Sequence, residues 1–212
     1  IAYATVTFQT VTHNRLLTPS MMAVDSMYEV VQTVIFFFAG SASIFVVSRY
    51  LNFGLSIVAM VIFALILYRF LFRADKHPIF LLLLAGMIIG TLLGSLVTFL
   101  QVIIDPVEYE SLQSRLFASF MNVKTELLLI AIVILVASFI YGYRLLRDLD
   151  VMSLGRENAI NLGVNYDKIV LKVLILSSVL IATSTALVGP ITFLGLIVSN
   201  LAYQFFATYK HS

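Results

Sequence analysis

The residues best suited to chemistry are few, and their placement argues against catalysis. Three histidines, His13, His77 and His211, stand in or beside polar breaks, so no apolar stretch carries an imidazole to activate a serine or hold a metal. Cysteine is absent, which removes thiolate metal sites, thiol nucleophiles and any disulfide framework. Neither a G-x-S-x-G elbow nor a G-x-x-x-x-G-K-[ST] loop occurs, so no serine nucleophile and no cradle for nucleotide phosphates is expected. Glu29 and Glu126 come closest to lying within apolar runs. Both fall near run ends, where a carboxylate reaches interfacial water, and no proton relay is expected from them. The chain is read as no enzyme, with no cofactor or metal of its own.

Two segments carry more information. Residues 153–168, SLGRENAINLGVNYDK, read as one short helix ending at Gly163, which suits a left-handed helix stop. Leu154, Ala159 and Leu162 can share one face, while Arg156, Glu157 and Asn158 can face water or a partner. A second turn from Asn165 leads into the next apolar run. Read alone, this is an amphipathic loop helix lying on a membrane. The second segment is Gly189-Pro190, which breaks a helix because proline lacks the backbone donor and clashes with the preceding turn.

The elements that position these segments follow from composition. Hydrophobic residues make up 61% of the 212 and charged residues 11%, with a mean hydropathy of +1.04. A soluble domain is about 25% charged, so lipid is the expected solvent. A bilayer core takes roughly 20 apolar helical residues to cross, so the chain holds about six or seven crossings in a single membrane domain, 1–212. The runs are long and uniformly apolar rather than alternating, which selects an all-α bundle over a barrel. Expected spans are 27–48, 53–72, 79–104, 124–145 and 169–188, followed by a shorter segment, 191–206. Polar breaks fall at 12–26, 49–52, 73–78 (RADKHP), 105–123 and 146–168, and residues 1–11 suit the end of a helix begun upstream. Within 79–104, Gly86, Gly90 and Gly94 recur every fourth residue and offer one face for close helix approach. Thr91, Ser95 and Thr98 lie roughly on one face of the same helix.

Charge orients the spans. With 146–168 on the cytoplasmic side, that side collects Arg15, Arg69, Arg73, Lys76, Arg144, Arg147, Arg156, Lys168 and Lys172, against Arg49, Arg115 and Lys124 opposite. Nine against three satisfies the positive-inside rule and turns the acidic 105–110 loop outward. A net charge of +2 with scattered basic residues implies no nucleic-acid partner. No signal peptide is recognised, and the start reads as the interior of a longer protein.

The run Leu154-Gly155-x-Glu157-x-Ala159-x-x-Leu162-Gly163-Val164 resembles the cytoplasmic coupling loop of FecCD-type permeases, which import iron siderophores, haem and vitamin B12. Gly189-Pro190-Ile191-x-Phe193-x-Gly195-Leu196-Ile197-Val198 resembles that family's most recognisable run, and Gln9 with Asn14, Leu16 and Pro19 resembles its polar segment after the second helix. The three fall in register. Arg15 and Leu17 stand where the family commonly has Pro and Ala, and Ser199-Asn200 where many members have Pro-His. The Ser-Asn-Leu-Ala-Tyr continuation resembles the branch serving catecholate and related siderophores.

This resemblance implies a fragment of a ten-helix ABC importer permease, running from the end of helix 2 into helix 8, in a bacterial inner membrane. Implied partners are a second permease, like or unlike this one, ABC ATPase subunits that hydrolyse the ATP, and a periplasmic or lipid-anchored siderophore-binding protein. Gly155, Arg156, Glu157, Asn158, Ala159, Leu162 and Gly163 are implied to couple to the ATPase. Gln9, Asn14, Thr91, Ser95, Thr98, Gly189, Pro190, Phe193 and Gly195 are candidates for the path or its gate. The rival reading is an ion-coupled secondary transporter, with a membrane scaffold protein behind it. The break at Gly189-Pro190 fits such a carrier, but no buried Asp, Glu or His is expected beside it.

Overall fold

A computed structural model describes residues 1–71, 78–120, 123 and 125–205. His77, His211, Arg73, Lys76, Lys124 and most of the expected 73–78 break lie outside the described residues. Those that are described form helices and connecting turns without strands. In chain order the helices are α1 (Ala2–Thr12), α2 (Val24–Ala39), α3 (Ile44–Val47), α4 (Arg49–Leu71), α5 (Pro78–Ile103), α6 (Pro106–Leu116), α7 (Thr125–Tyr143), α8 (Leu146–Met152), α9 (Arg156–Asn161), α10 (Tyr166–Val188) and α11 (Leu194–Phe205). A 3-10 turn, Pro19–Met22, precedes α2.

α10 is the axis of the bundle. Its 23 residues rise about 35 Å, enough for a bilayer core, and α1, α2, α4 and α7 all pack on it. Sixty-seven percent of its apolar window is buried, against 11% for α5. Val170, Val173, Leu176, Leu180, Ile181 and Ala182 supply the apolar part of that contact. Ser177 and Thr183 join the buried surface by donating their hydroxyls to Ala4 O (3.2 Å) and Val179 O (2.7 Å), so they enter an apolar core without a stranded dipole.

Four helices among the described residues are long and apolar enough to cross a membrane, with α11 a shorter apolar helix. The expected six or seven crossings thus resolve into four long helices and shorter ones packed beside them. Expected span 27–48 is the clearest departure. α2 starts three residues earlier, at Val24, and stops at Ala39, because Gly40 adopts a positive φ of 69°. The Glu108 carboxylate then accepts the Ser41 N–H (2.7 Å) and hydroxyl (2.9 Å), taking the donors that a continued helix would have used. The expected turn at 49–52 is instead the first turn of α4, where Asn52 faces Gln32 of α2. The two amides donate to each other at 3.1 Å each, and Gln32 Nε2 also reaches Ser56 Oγ at 2.9 Å.

The small-residue face of α5 behaves differently from its pattern. A Cβ at Gly86 would stand 2.9 Å from Met22 Cα, and one at Gly90 3.2 Å from Ala23 Cβ, so the close approach is made by the 3-10 turn and the start of α2. Gly94 has nothing within 4 Å.

Candidate functional site

Within 153–168 the structure has the one expected short helix, α9, and a further short helix, α8, precedes it after α7. α8 packs beneath α1 through fully buried Leu149 and Met152, so the polar stretch expected from 146 is already helical. α9 begins at Arg156, after Gly155 takes a φ of 99°. It ends as the sequence suggests: Gly163 is left-handed (φ 85°), its N–H donates to Ile160 O (2.9 Å), and Val164 N–H donates to Ala159 O (3.0 Å). This pair of bonds caps the last carbonyls. Asn165 then caps α10 by accepting from Lys168 N–H at 3.3 Å.

The faces of α9 sort differently from expectation. Ala159 is fully buried against α8 and α10, whereas Leu154 (58% exposed), Ile160 and Leu162 (63%) face outward beside exposed Arg156, Glu157 and Asn158. Leu154 and Leu162 therefore do not share the inward face of Ala159. Asn158 turns back onto its own helix, donating to Leu154 O (2.8 Å). The Arg156 guanidinium lies 5.6 Å from the centre of the Tyr166 ring, and the Tyr166 hydroxyl donates to Val11 O (3.1 Å). α9 is thereby joined through one residue to the start of α10 and the end of α1.

The path candidates divide. Thr91, Ser95 and Thr98 do form one exposed face of α5, each hydroxyl donating to the carbonyl four residues earlier. Gln9 is buried instead: its Nε2 donates to Arg15 O (2.6 Å) and Ser199 Oγ (3.3 Å), tying α1 to α11, while its Oε1 has no partner. Asn14 forms an exposed turn by accepting Leu16 N–H at 2.9 Å. Gly195 lets α11 close on α1, since a Cβ there would meet Thr5 Oγ1 at 2.6 Å. Phe193 is 67% exposed.

At Gly189 the break is held from two sides. Gly189 has φ 102° and ψ 172°, and a Cβ would lie 2.9 Å from Ala118 Cα; Ser119 N–H donates to Val188 O at 2.8 Å. A cavity of about 390 Å³ opens here, lined in part by Tyr28, Arg49, Asn52, Arg115, Ser119 and Gly189. Arg49 pairs with Glu126 at 3.2 Å, both half exposed, as expected for a carboxylate at a span end. Arg115 donates to Val46 O (3.0 Å) beneath the Phe36 ring, and its burial lowers its pKa from the ordinary value, with Tyr28 opposing.

On the other side of the break lies a residue that sequence reasoning missed. Asp25, only 6% exposed, accepts from Thr185 Oγ1 at 2.8 Å and from Thr192 Oγ1 at 3.5 Å. The expectation that no buried acid accompanies Gly189-Pro190 is therefore wrong. Asp25 sits at the end of the polar stretch 12–26, which made it look solvated; its threonine partners are 160 and 167 positions away. The one local signal was an Asp immediately before an amphipathic run.

Comparison with known proteins gives a consistent picture. The profile of the FecCD transport family matches residues 1–212. The chain is 48% identical over 212 residues to the petrobactin import system permease protein YclO of Bacillus subtilis (strain 168), covering all of this chain and 67% of that protein. It is 38% identical over 210 residues to the petrobactin import system permease protein FatC of Bacillus anthracis, covering 98% and 59% respectively. A solved ABC transporter assigned to the metal-chelate type, in an inward-facing conformation, superposes with a TM-score of 0.85 at 28% identity, covering 98% of this chain and 64% of that one. The chain thus spans about two thirds or less of the length of each of these proteins.

Proposed function

The chain belongs to the FecCD transport family, and we propose from this that it is the membrane permease subunit of an ATP-driven importer of ferric siderophores. The observation that carries this reading is the 48% identity, over the whole chain, to a petrobactin import permease. The same likeness favours a petrobactin-like, catecholate-type chelate as cargo. A second permease protein of the Bacillus anthracis petrobactin system, FatD, also matches, at 29% identity over 153 residues, which supports pairing with an unlike permease. The assembly would sit in a bacterial inner membrane with ABC ATPase subunits at the basic end and a siderophore-binding protein opposite.

α9 is the contact for the ATPase. Exposed Ile160 with the flanking Leu154 and Leu162, rimmed by Arg156 and Glu157, forms a small apolar surface suited to a groove, and the Tyr166 link passes a push on α9 into α1 and α10 as one body. Thr91, Ser95 and Thr98 offer hydroxyls to a bulky chelate on a face of α5 that the described residues leave exposed. ATP is hydrolysed by the partner, since the chain has no phosphate loop. The test is purification of the tagged permease in detergent: a stoichiometric ATPase should accompany it, and nucleotide should turn over only in the complex. Asp25 beside the break supplies the acidic group an ion-coupled carrier would need. Such a carrier would purify without an ATPase, and its uptake would collapse with the ion gradient rather than with ATP.

A further inference from the structure

Asp25 has no part in the mechanism above, yet its carboxylate is buried, with 6% of the residue exposed. A carboxylate within a membrane bundle is tolerated when it is paired or lines a functional path. Among the described residues no Lys, Arg or His forms an ion pair with it; its partners are the hydroxyls of Thr185, Thr192 and Ser20. Those hydroxyls come from different parts of the chain. Ser20 belongs to the 3-10 turn, Thr185 lies inside α10 one turn before its end, and Thr192 lies beyond Pro190. One carboxylate oxygen thus holds the regular helix while the other holds the segment that follows the break.

The two bonds differ in strength. Thr185 is held at 2.8 Å in a buried position, whereas the Thr192 bond, at 3.5 Å, is at the outer limit for a hydrogen bond. Upstream of the proline, segment 189–193 is also fastened through Ser119 N–H to Val188 O and the seat of Gly189 on Ala118, and downstream Phe193 O accepts the Ile197 N–H (3.1 Å) at the start of α11. The solved neighbour of the same fold is inward-facing, and we take these bonds to belong to the same state, closed at the opposite, outer end. We propose that Asp25 is a positioning residue that latches segment 189–193 onto α2 and α10 in the outward-closed state, and that the latch parts at Thr192 when the transporter opens outward. This rests on the permease reading and adds to it the residue that sets its outer gate.

The latch predicts an asymmetry opposite to bond strength. In the assembled transporter in vesicles, a Phe193→Cys reporter in this cysteine-free stretch is labelled from outside with an impermeant thiol reagent. Thr192→Val should raise the labelling rate by about three- to tenfold, the worth of one hydrogen bond, and raise ATP hydrolysis in the absence of loaded binding protein. Thr185→Val should lower thermal stability but leave labelling within about twofold. Asp25→Asn, whose amide can still bond both hydroxyls, should resemble the parent, while Asp25→Ala should resemble Thr192→Val. Equal labelling changes in the two threonine variants, or an unchanged rate in Thr192→Val, would reduce Asp25 to a packing bond. Absence of chelate uptake by the unsubstituted complex would overturn the permease reading itself, a separate result from the threonine comparison.

Discussion

The two ends of α10 are both glycine-marked turns, and they are finished in opposite ways. At the basic end, Gly163 has nothing within 4 Å of where a Cβ would point, and Leu154, Ile160 and Leu162 stand uncovered. At the other end, Gly189 is pressed onto Ala118 while Asp25 reaches the threonines on both sides of the break. Among the described residues, one end leaves its large apolar side chains exposed and the other makes its contacts within the chain. A helix finished in this way can be pushed at one end and released at the other, which is what an energy-coupled gate requires.

The comparison breaks most sharply if the two ends do not face opposite compartments. Cysteines placed at exposed Asn158 and at exposed Glu110 should label all-or-none from opposite sides of sealed membranes. Labelling of both from one side would dissolve the contrast.

Next in size is the glycine pair. Gly189→Ala meets both a backbone conformation that essentially only glycine adopts and the Ala118 backbone; the conformation alone costs about 1–3 kcal/mol, and the contact adds to it. Gly163→Ala meets only the left-handed strain of about 1–2 kcal/mol, in open space. Thermal unfolding in detergent should therefore rank Gly189→Ala well below Gly163→Ala, and equal midpoints would show that the break is not held as described. A smaller effect separates folding from assembly: Glu157→Ala or Leu162→Ala should change stability by no more than about 0.5 kcal/mol, yet cut ATPase retention about tenfold, as loss of an interface anchor does. Smallest is Arg49→Ala, which removes a half-exposed pair with Glu126; its cost should be about 0–1 kcal/mol and should shrink further in high salt.

The same two ends show what could be read from sequence. The local structure of 153–168 was legible because its determinants are local: the glycine stops, the polar residues of 156–158 and the Asn165 cap lie within a dozen positions. The Gly189-Pro190 break was legible for the same reason. Its anchor was not, because Asp25 is defined by hydroxyls that come near it only after α2 and α10 pack. The early end of α2 escaped for a similar reason, since Glu108 takes the Ser41 donors from 67 positions away. Nor could spacing alone show that Leu154 and Leu162 point away from Ala159, since α8 covers one side of α9 and leaves the other open.

The amide pair between Gln32 and Asn52 has a mechanical consequence. Each group is donor and acceptor to the other, and Ser56 completes the set, so the pairing closes at only one relative height of the two helices. Sliding α2 along α4 by a single turn, about 5.4 Å, would strand several amide dipoles in a hydrocarbon medium that offers them no water. The pair acts as a spline: it tolerates tilting of the two helices together and forbids shear between them. Whatever rearrangement carries cargo across, α2 and α4 must travel as one rigid paddle, and a covalent tether between them should leave uptake intact.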